Sequence, residues 1–102
     1  MFYVKNSSIH GNGCFAKQFI LKNTLIEVSV LVIDKELGKQ LLHIFPWSRL
    51  EKCIVLNEFT YCNSSDVPNL KIKSIDRITL TKTFVTLRDI EQDEEIFLKY
   101  LK

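Results

Sequence analysis

The chain contains one glycine-rich stretch, residues 10–13, with the sequence His-Gly-Asn-Gly, which holds two of its three glycines. Because glycine has no Cβ, such a stretch lets the backbone turn sharply or lets another molecule approach the backbone closely. Both interpretations stay open from these residues alone. Residues 10–13 are therefore either a plain turn or a loop that offers its backbone to a ligand.

A second candidate is the polar segment of residues 57–69, which shows no helical or strand periodicity and ends just after Pro68. Thirteen residues without regular structure are unusual in so small a chain, and such loops are commonly disordered or functional. The segment also contains Phe59, Tyr61 and Val67, which disfavour disorder. We therefore expect a packed loop with a functional role.

The cysteines and histidines do not form a metal-binding pattern. Cys14, Cys53 and Cys62 are odd in number and widely spaced, without a Cys-x-x-Cys pair, and neither His10 nor His43 stands at ligand spacing from them. This pattern predicts buried thiols in a reducing compartment and no metal site. Cytoplasm is the expected location.

Size and charge limit the classes of function. A chain of 102 residues, 46% hydrophobic and 25% charged, predicts one globular domain over residues 1–102. The net charge of +2 comes from scattered lysines and arginines, so direct nucleic-acid binding is not expected. No apolar run resembles a signal segment or a membrane span, so no membrane association is expected.

The elements that must position these loops are mostly strands. Residues 24–33 alternate between apolar and polar, which predicts a long strand with Glu27 and Ser29 on its outer face. Asp34 is expected to cap a short helix over residues 35–43, with leucines at positions 37, 41 and 42 facing inward. Shorter strands are predicted at residues 2–5, 53–56, 70–75, 78–80, 84–87 and 96–100, with turns at 76–77 and 91–94. The fold class is mainly β with one short helix.

Three separated stretches resemble the motifs of the SET family of lysine methyltransferases. Ile9-His10-Gly11-Asn12-Gly13-Cys14-Phe15-Ala16, followed by Leu25-Ile26-Glu27-Val28, is similar to the family's opening Gly-x-Gly-x-Phe-Ala pattern and the Glu that follows it. Residues 63–69, Asn-Ser-Ser-Asp-Val-Pro-Asn, resemble its Asn-His-Ser-x-x-Pro-Asn. Residues 87–90 and 93–100 resemble its Arg-Asp-Ile, Gly-Glu-Glu-Leu and closing tyrosine. The resemblance is strongest to small bacterial or viral members that lack pre-SET and post-SET modules.

The resemblance implies a fold and an activity. The fold is the SET fold, a β-clip of several short sheets whose C-terminal segment passes beneath a loop as a pseudoknot. The activity is methyl transfer from S-adenosyl-L-methionine to a protein lysine, which enters through an aromatic channel from the opposite face. The implied cofactor-binding residues are Gly11, Asn12, Gly13, Tyr61, Cys62, Asn63 and Ser64. The implied channel residues are Tyr100, Phe59 and Trp47, with Tyr100 as the catalytic tyrosine.

The sequence departs from the family pattern at several positions. Ser64 replaces the family's histidine, and Asp93 replaces a turn glycine. Only two residues follow Tyr100, so a second channel tyrosine and a post-SET zinc clip are not expected. A homodimer is one way in which the missing channel wall would be supplied.

These observations leave three hypotheses. The first is an enzyme that methylates a protein substrate bearing an acceptor lysine, histone-like or other. The second is a catalytically degenerate SET-fold protein that binds a protein or a small ligand, which the serine at position 64 and the short C-terminus motivate. The third is a viral or bacterial interaction module that acts on chromatin or host proteins. If the protein is viral or directed at chromatin, the expected location is the host nucleus or the nucleoid in place of the cytoplasm.

Overall fold

The structure is a computed structural model that describes residues 1–39 and 44–99, apart from the side chain of Pro46. Over these residues it contains the helix α1, Lys35–Gly38, and a 3₁₀ turn, Glu58–Tyr61. The strands are β1 Phe2–Asn6, β2 Asn12–Ala16, β3 Leu25–Asp34, β4 Ile44–Pro46, β5 Glu51–Val55, β6 Asn63–Ser64, β7 Leu70–Asp76, β8 Thr81–Thr86 and β9 Phe97–Leu98. The fold class predicted from the sequence, mainly β with one short helix, is confirmed.

The described strands form three sheets. β1 and β2 make an antiparallel pair, β6 and β9 make a parallel pair, and the remaining strands make a five-stranded sheet in the order β4-β5-β3-β8-β7. β3 holds the large sheet together because its first half pairs with β8 and its second half pairs with β5. Its burial alternates as predicted: Ile26, Val28 and Val30 are buried, whereas Glu27 and Ser29 are exposed.

The core lies between the large sheet and the β1-β2 pair. Phe59, on the 3₁₀ turn, contacts Phe2 edge-on with ring centroids 5.1 Å apart, and Phe84 of β8 at 5.0 Å. Each fully buried aromatic ring of this kind contributes about 2–3 kcal/mol by leaving water. The 3₁₀ turn begins at Asn57, whose side-chain oxygen accepts a hydrogen bond from the Phe59 N–H.

The predicted helix is only partly as expected. Asp34 does cap it, since its carboxylate accepts a hydrogen bond from the Leu37 N–H at 2.8 Å. α1 ends at Gly38, and the Leu37 side chain is 47% exposed, so the prediction that it faces inward is wrong. One turn of helix is too short to lay an apolar stripe on the core. The predicted continuation to residue 43, with its two leucines, lies outside the described residues.

The strand predicted at residues 78–80 is also wrong. These residues form the turn between β7 and β8, where Ile78 is 94% exposed. The Asp76 carboxylate accepts hydrogen bonds from the N–H groups of Ile78 and Thr79, and Leu80 has a φ of 56°. An aspartate that bonds to the backbone two and three residues ahead favours a turn over a strand, whatever the apolar content of the turn.

The C-terminal segment crosses beneath the 63–69 loop, as the resemblance implied. β9 pairs in parallel with β6, so that Asn63 lies opposite Phe97 and Ser64 opposite Leu98. Asn69, fully buried at the end of the loop, accepts a hydrogen bond from the Phe97 N–H and donates one to the Glu95 carbonyl. A buried amide that satisfies both chain segments fixes the crossing, because leaving either group unpaired would cost about 1–3 kcal/mol.

Candidate active site

The loop of residues 10–13 joins β1 and β2 and contains both motif glycines. Gly11 has a φ of 47°, a conformation that side chains disfavour, and a Cβ built there would have nothing within 4 Å. At Gly13, by contrast, a Cβ would lie 2.6 Å from Oε2 of Glu95. The Glu95 carboxylate occupies the space that a side chain at Gly13 would need, so the missing Cβ serves packing within the protein there.

Asn63 ties this loop to the C-terminal segment. Its amide nitrogen Nδ2 donates to the backbone carbonyls of His10 at 3.0 Å and Asn12 at 3.3 Å, and to Oε2 of Glu95 at 3.0 Å. The Ser7 hydroxyl contacts both oxygens of the same carboxylate, at 2.8 and 2.9 Å. We call Ser7, residues 10–13, Asn63 and Glu95 the Asn63 cluster.

A second set of polar contacts fixes Glu94, the residue that precedes Glu95 of the Asn63 cluster. Arg88 forms an ion pair with Glu94 at 2.6 Å, and the Asn69 amide also donates to Glu94. Burial alone would raise the pKa of Glu94, but the hydrogen bonds from the Glu91 backbone, Arg88 and Asn69 outweigh it, so that the pKa is lowered. Glu94 therefore stays ionised, and the turn before β9 is held in place by charge-assisted bonds.

Two cysteines lie directly behind the Asn63 cluster. Cys14 and Cys62 are both buried and contact each other, and Cys62 immediately precedes Asn63. Burial, the hydrogen bond with Cys14 and the nearby Glu95 charge all raise the pKa of the Cys62 thiol. A thiol that resists ionisation is a poor nucleophile, so Cys62 has a packing role.

A separate apolar pocket of about 450 Å³ opens beside β7 and β8. Its described lining is Phe45, Trp47, Pro68, Leu70, Lys71, Ile72, Lys73, Ser74, Ile75, Lys82, Phe84, Leu98 and Lys99. Four of these residues are lysines, and none is acidic. Lys82 is buried, with its ammonium 5.4 Å from the Phe45 ring centroid and 5.9 Å from that of Phe84, and burial lowers its pKa.

The Asn63 cluster and the apolar pocket meet at the β6-β9 pair. Asn63 at the start of the 63–69 loop belongs to the cluster, whereas Pro68 near its end lines the pocket. In β9, Phe97 lies opposite Asn63, and the next residue, Leu98, lines the pocket. One loop and one strand therefore position both regions.

The structure places the other predicted cofactor-binding residues around this junction. Ser64 is exposed and pairs through its backbone with Leu98, so the serine that replaces the family's histidine does not interrupt the strand pairing. Tyr61 is half-buried, and the Cys62 side chain faces Cys14 in the core. Only the backbone of Cys62 is therefore left to face a ligand.

Of the predicted channel residues, Trp47 lines the apolar pocket. Phe59 does not: its ring is completely buried among Phe2 and Phe84, which corrects the prediction that it lines a channel. Tyr100 lies outside the described residues.

Three residues of the site are not predicted from the sequence. Glu95 and Ser7 complete the Asn63 cluster, and Lys82 lies in the pocket. The motif of residues 93–100 contains Glu95 and could have identified it as a site residue, but no spacing rule predicts its contact with Gly13. Lys82 occupies a buried position in a strand, where the alternation of β8 predicts an apolar residue. In the described part of the chain, no group of three or more potential metal ligands occurs, and no helix is long and apolar enough to cross a membrane.

Comparisons with known proteins agree with this geometry. The sequence pattern of the SET domain matches residues 11–101. Among solved structures, 161 chains match; one is a Plasmodium falciparum protein provisionally named a histone methyltransferase, with 24% identity, a TM-score of 0.80, and coverage of 98% of this chain and 92% of its own. No curated protein matches. The structural likeness shows the fold, and the match over residues 11–101 shows the family: the chain belongs to the SET domain family of methyltransferases.

Proposed function

We propose that this protein is an S-adenosyl-L-methionine-dependent protein-lysine N-methyltransferase. The observation that carries the proposal is the junction at β6-β9, where the Asn63 cluster and the apolar pocket share one loop and one strand. Methyl transfer to an amine is an in-line displacement that depends on alignment of donor and acceptor and on exclusion of water. Two ligand regions that meet at one fixed strand pair supply such an alignment.

The residues of the Asn63 cluster suit the cofactor. Space is open beside Gly11, where a Cβ would meet nothing within 4 Å, so a ligand can approach the backbone there. The cluster contains backbone carbonyls and a buried carboxylate that accept hydrogen bonds from Asn63, and their negative charge favours a cationic ligand nearby. The backbone of residues 10–13 and of residues 61–64, together with the Asn63 side chain, would hold it. When bound, the cofactor supplies a methyl group on a positively charged sulfur.

The apolar pocket suits the acceptor side chain. Trp47, Ile72 and Leu98 offer apolar surface to the aliphatic stem of a lysine. An amine must lose its proton before it attacks, and both burial and neighbouring cations lower the pKa of an amine. The pocket therefore favours the neutral form that the reaction needs. By its match to the family's closing tyrosine, Tyr100 would orient this amine and stabilise the transferring methyl group through its hydroxyl oxygen.

The first test is binding of S-adenosylhomocysteine, measured by isothermal titration calorimetry. We expect saturable binding, and we expect Asn63→Asp to abolish it, because a carboxylate cannot donate to the loop carbonyls or to Glu95. Absence of binding by the wild-type protein up to millimolar ligand would overturn the proposal and leave a SET fold that acts as a binding module.

The second test concerns turnover. Tyr100→Phe should lower kcat by about a hundredfold or more while the affinity for S-adenosylhomocysteine changes little, because the change removes one hydroxyl from the reaction centre. Tyr3→Phe is the matched control: the Tyr3 hydroxyl donates to Asp93 on the surface, and its removal should leave turnover unchanged. Equal turnover of both variants would remove Tyr100 from this role.

A further inference from the structure

The described lining of the apolar pocket is basic, with four lysines and no acidic residue. The side chains of Lys71, Lys73 and Lys99 are exposed at the pocket, and within residues 1–39 and 44–99 none of the three has a hydrogen bond or an ion pair. Lys82 adds a fourth cation inside the pocket. A set of like charges beside an apolar wall raises the local concentration of anions.

The acidic residues near the pocket in sequence do not neutralise it. Asp66 and Asp76 flank the lining segments but do not line the pocket, and the Asp76 carboxylate is occupied by backbone N–H groups of the β7-β8 turn. The carboxylates of residues 93–95 bond to Tyr3, Arg88, Asn69, Ser7 and Asn63 on the cofactor side. The two ligand regions therefore differ in the sign of their charge: carboxylates lie near the proposed cofactor residues, and ammonium groups lie around the pocket.

We propose that the acceptor lysine lies in an acidic segment of the substrate protein, with carboxylates flanking the lysine and an apolar residue nearby. This inference rests on the proposed function, because it takes the apolar pocket as the entrance for the acceptor. It specifies the class of substrate: an acidic and apolar segment in place of a lysine-rich and arginine-rich tail.

The physical reason is the charge of the acceptor itself. In solution a lysine side chain carries a positive charge, so four pocket lysines repel it, and additional basic residues beside it increase the repulsion. Carboxylates on either side of the acceptor reverse this, since they pair with the exposed lysines at the rim. The buried Lys82 then faces the incoming amine and lowers its pKa as it loses water.

The experiment uses Trp47 as the reporter, because it is the only tryptophan in the chain and it lines the pocket. Three tryptophan-free peptides share a central lysine and a leucine and differ only in flanking residues: aspartate and glutamate, serine, or lysine and arginine. We expect a Trp47 fluorescence change with the acidic peptide at a Kd about tenfold lower than with the serine peptide, from two or three exposed charge pairs. Added salt should reduce the difference.

The variant Lys71→Glu/Lys73→Glu tests the residues directly. Both side chains are exposed, so the protein should fold normally, and the preference should shift by about tenfold or more from the acidic toward the basic peptide. Lys17→Glu, the same change at an exposed position that does not line the pocket, should leave the preference as it is. An unchanged preference in the double variant would overturn the inference.

Methyl transfer to the same peptides separates this inference from the proposed function. If the acidic peptide binds and is methylated preferentially, both stand. If it binds at Trp47 but receives no methyl group from S-adenosyl-L-methionine under any condition tested, the proposed function fails and acidic docking stands. If the basic peptide binds and is methylated preferentially, or if no peptide changes the Trp47 fluorescence, the charge inference is overturned.

Discussion

The Asn63 cluster and the apolar pocket share the β6-β9 pair, yet they are built in different ways. The cluster consists of short polar contacts among three distant chain segments, with a carboxylate in the space of a missing side chain. The pocket consists of apolar side chains on β7, β8 and β9, with a rim of exposed lysines. Hydrogen-bonded clusters depend on each donor and acceptor, whereas the exposed side chains of an apolar pocket tolerate substitution.

The two regions contribute differently to the stability of the fold. The hydrogen bonds of Asn63 hold the C-terminal segment against residues 10–13. Folding and the proposed binding of the cofactor therefore depend on the same hydrogen bonds. The pocket wall has a buried part, formed by core residues such as Leu70 and Phe84, and an exposed part. Ile72, which is 49% exposed, and the rim lysines form the exposed part and are available for selectivity. Substitutions in the cluster should therefore change stability, whereas substitutions at the pocket rim should change which ligand binds.

The largest expected effect is that of Asn63→Asp. The new carboxylate would face two backbone carbonyls and the Glu95 carboxylate without a proton to donate. We expect the free energy of unfolding to fall by about 3 kcal/mol at neutral pH, because a buried charge loses its donor and gains a like charge. Urea unfolding measures the change.

Asn57→Asp is the matched control for this change. The side-chain oxygen of Asn57 accepts a hydrogen bond from the Phe59 N–H, and an aspartate keeps that oxygen. Its effect on unfolding should stay within about 0.5 kcal/mol. If both variants lost similar amounts of unfolding free energy, the hydrogen bonds that Asn63 donates would not be the cause of the loss in Asn63→Asp.

The second effect, in order of size, is that of Gly13→Ala. A Cβ at Gly13 would displace the Glu95 carboxylate, which Ser7 and Asn63 hold in place, and we expect a loss of about 2 kcal/mol by overpacking. Gly11→Ala meets no atom within 4 Å and should cost only about 1 kcal/mol, from its positive φ. Thermal unfolding of both variants compares the stability lost through overpacking at Gly13 with the stability lost through backbone strain at Gly11. The reverse order would contradict the close packing at Gly13.

The two regions also differ in how far the sequence predicts them. The cofactor side could be located because its glycines and Asn63 belong to motifs with fixed spacing, and the alternation of β3 predicted the strand behind it. The contact of Glu95 with Gly13 joins residues from opposite ends of the chain, and local periodicity contains no information on such a contact. The apolar residues 78–80 wrongly predict a strand. The hydrogen bond from the Ile78 N–H to the Asp76 carboxylate stabilises a turn there, whatever the apolar content.

The third effect is the acid dependence of stability due to Glu94. Its pKa is lower in the folded protein than in the unfolded chain, so the folded state is favoured above the unfolded pKa, and this contribution is lost as pH falls through the folded pKa. We expect stability to decline as pH drops below about 4.3, the ordinary glutamate value. In Glu94→Gln the slope should be shallower, with a loss at neutral pH of less than about 1 kcal/mol, since the ion pair is partly exposed.

The measurement is urea unfolding of the wild type and of Glu94→Gln across the acidic range. Glu91→Gln, the same change at an exposed glutamate, controls for the loss of one negative charge. If the unfolding free energies of all three proteins changed with pH in parallel, ionisation of Glu94 would make no contribution to stability.

The smallest effect on stability is expected at the pocket wall, with Ile72→Thr. Ile72 is half-exposed on β7, and threonine keeps the β-branched shape that strands favour, so the unfolding free energy should change by about 0.5 kcal/mol or less. The apolar surface offered to a lysine stem shrinks, however, so peptide binding reported by Trp47 should weaken by about threefold. Ile78→Thr makes the same change on the exposed β7-β8 turn, and should affect neither measurement. If Ile72→Thr instead destabilised the protein as strongly as Gly13→Ala, the exposed part of the pocket wall would also be needed for folding, and the proposed difference between the two regions would be wrong.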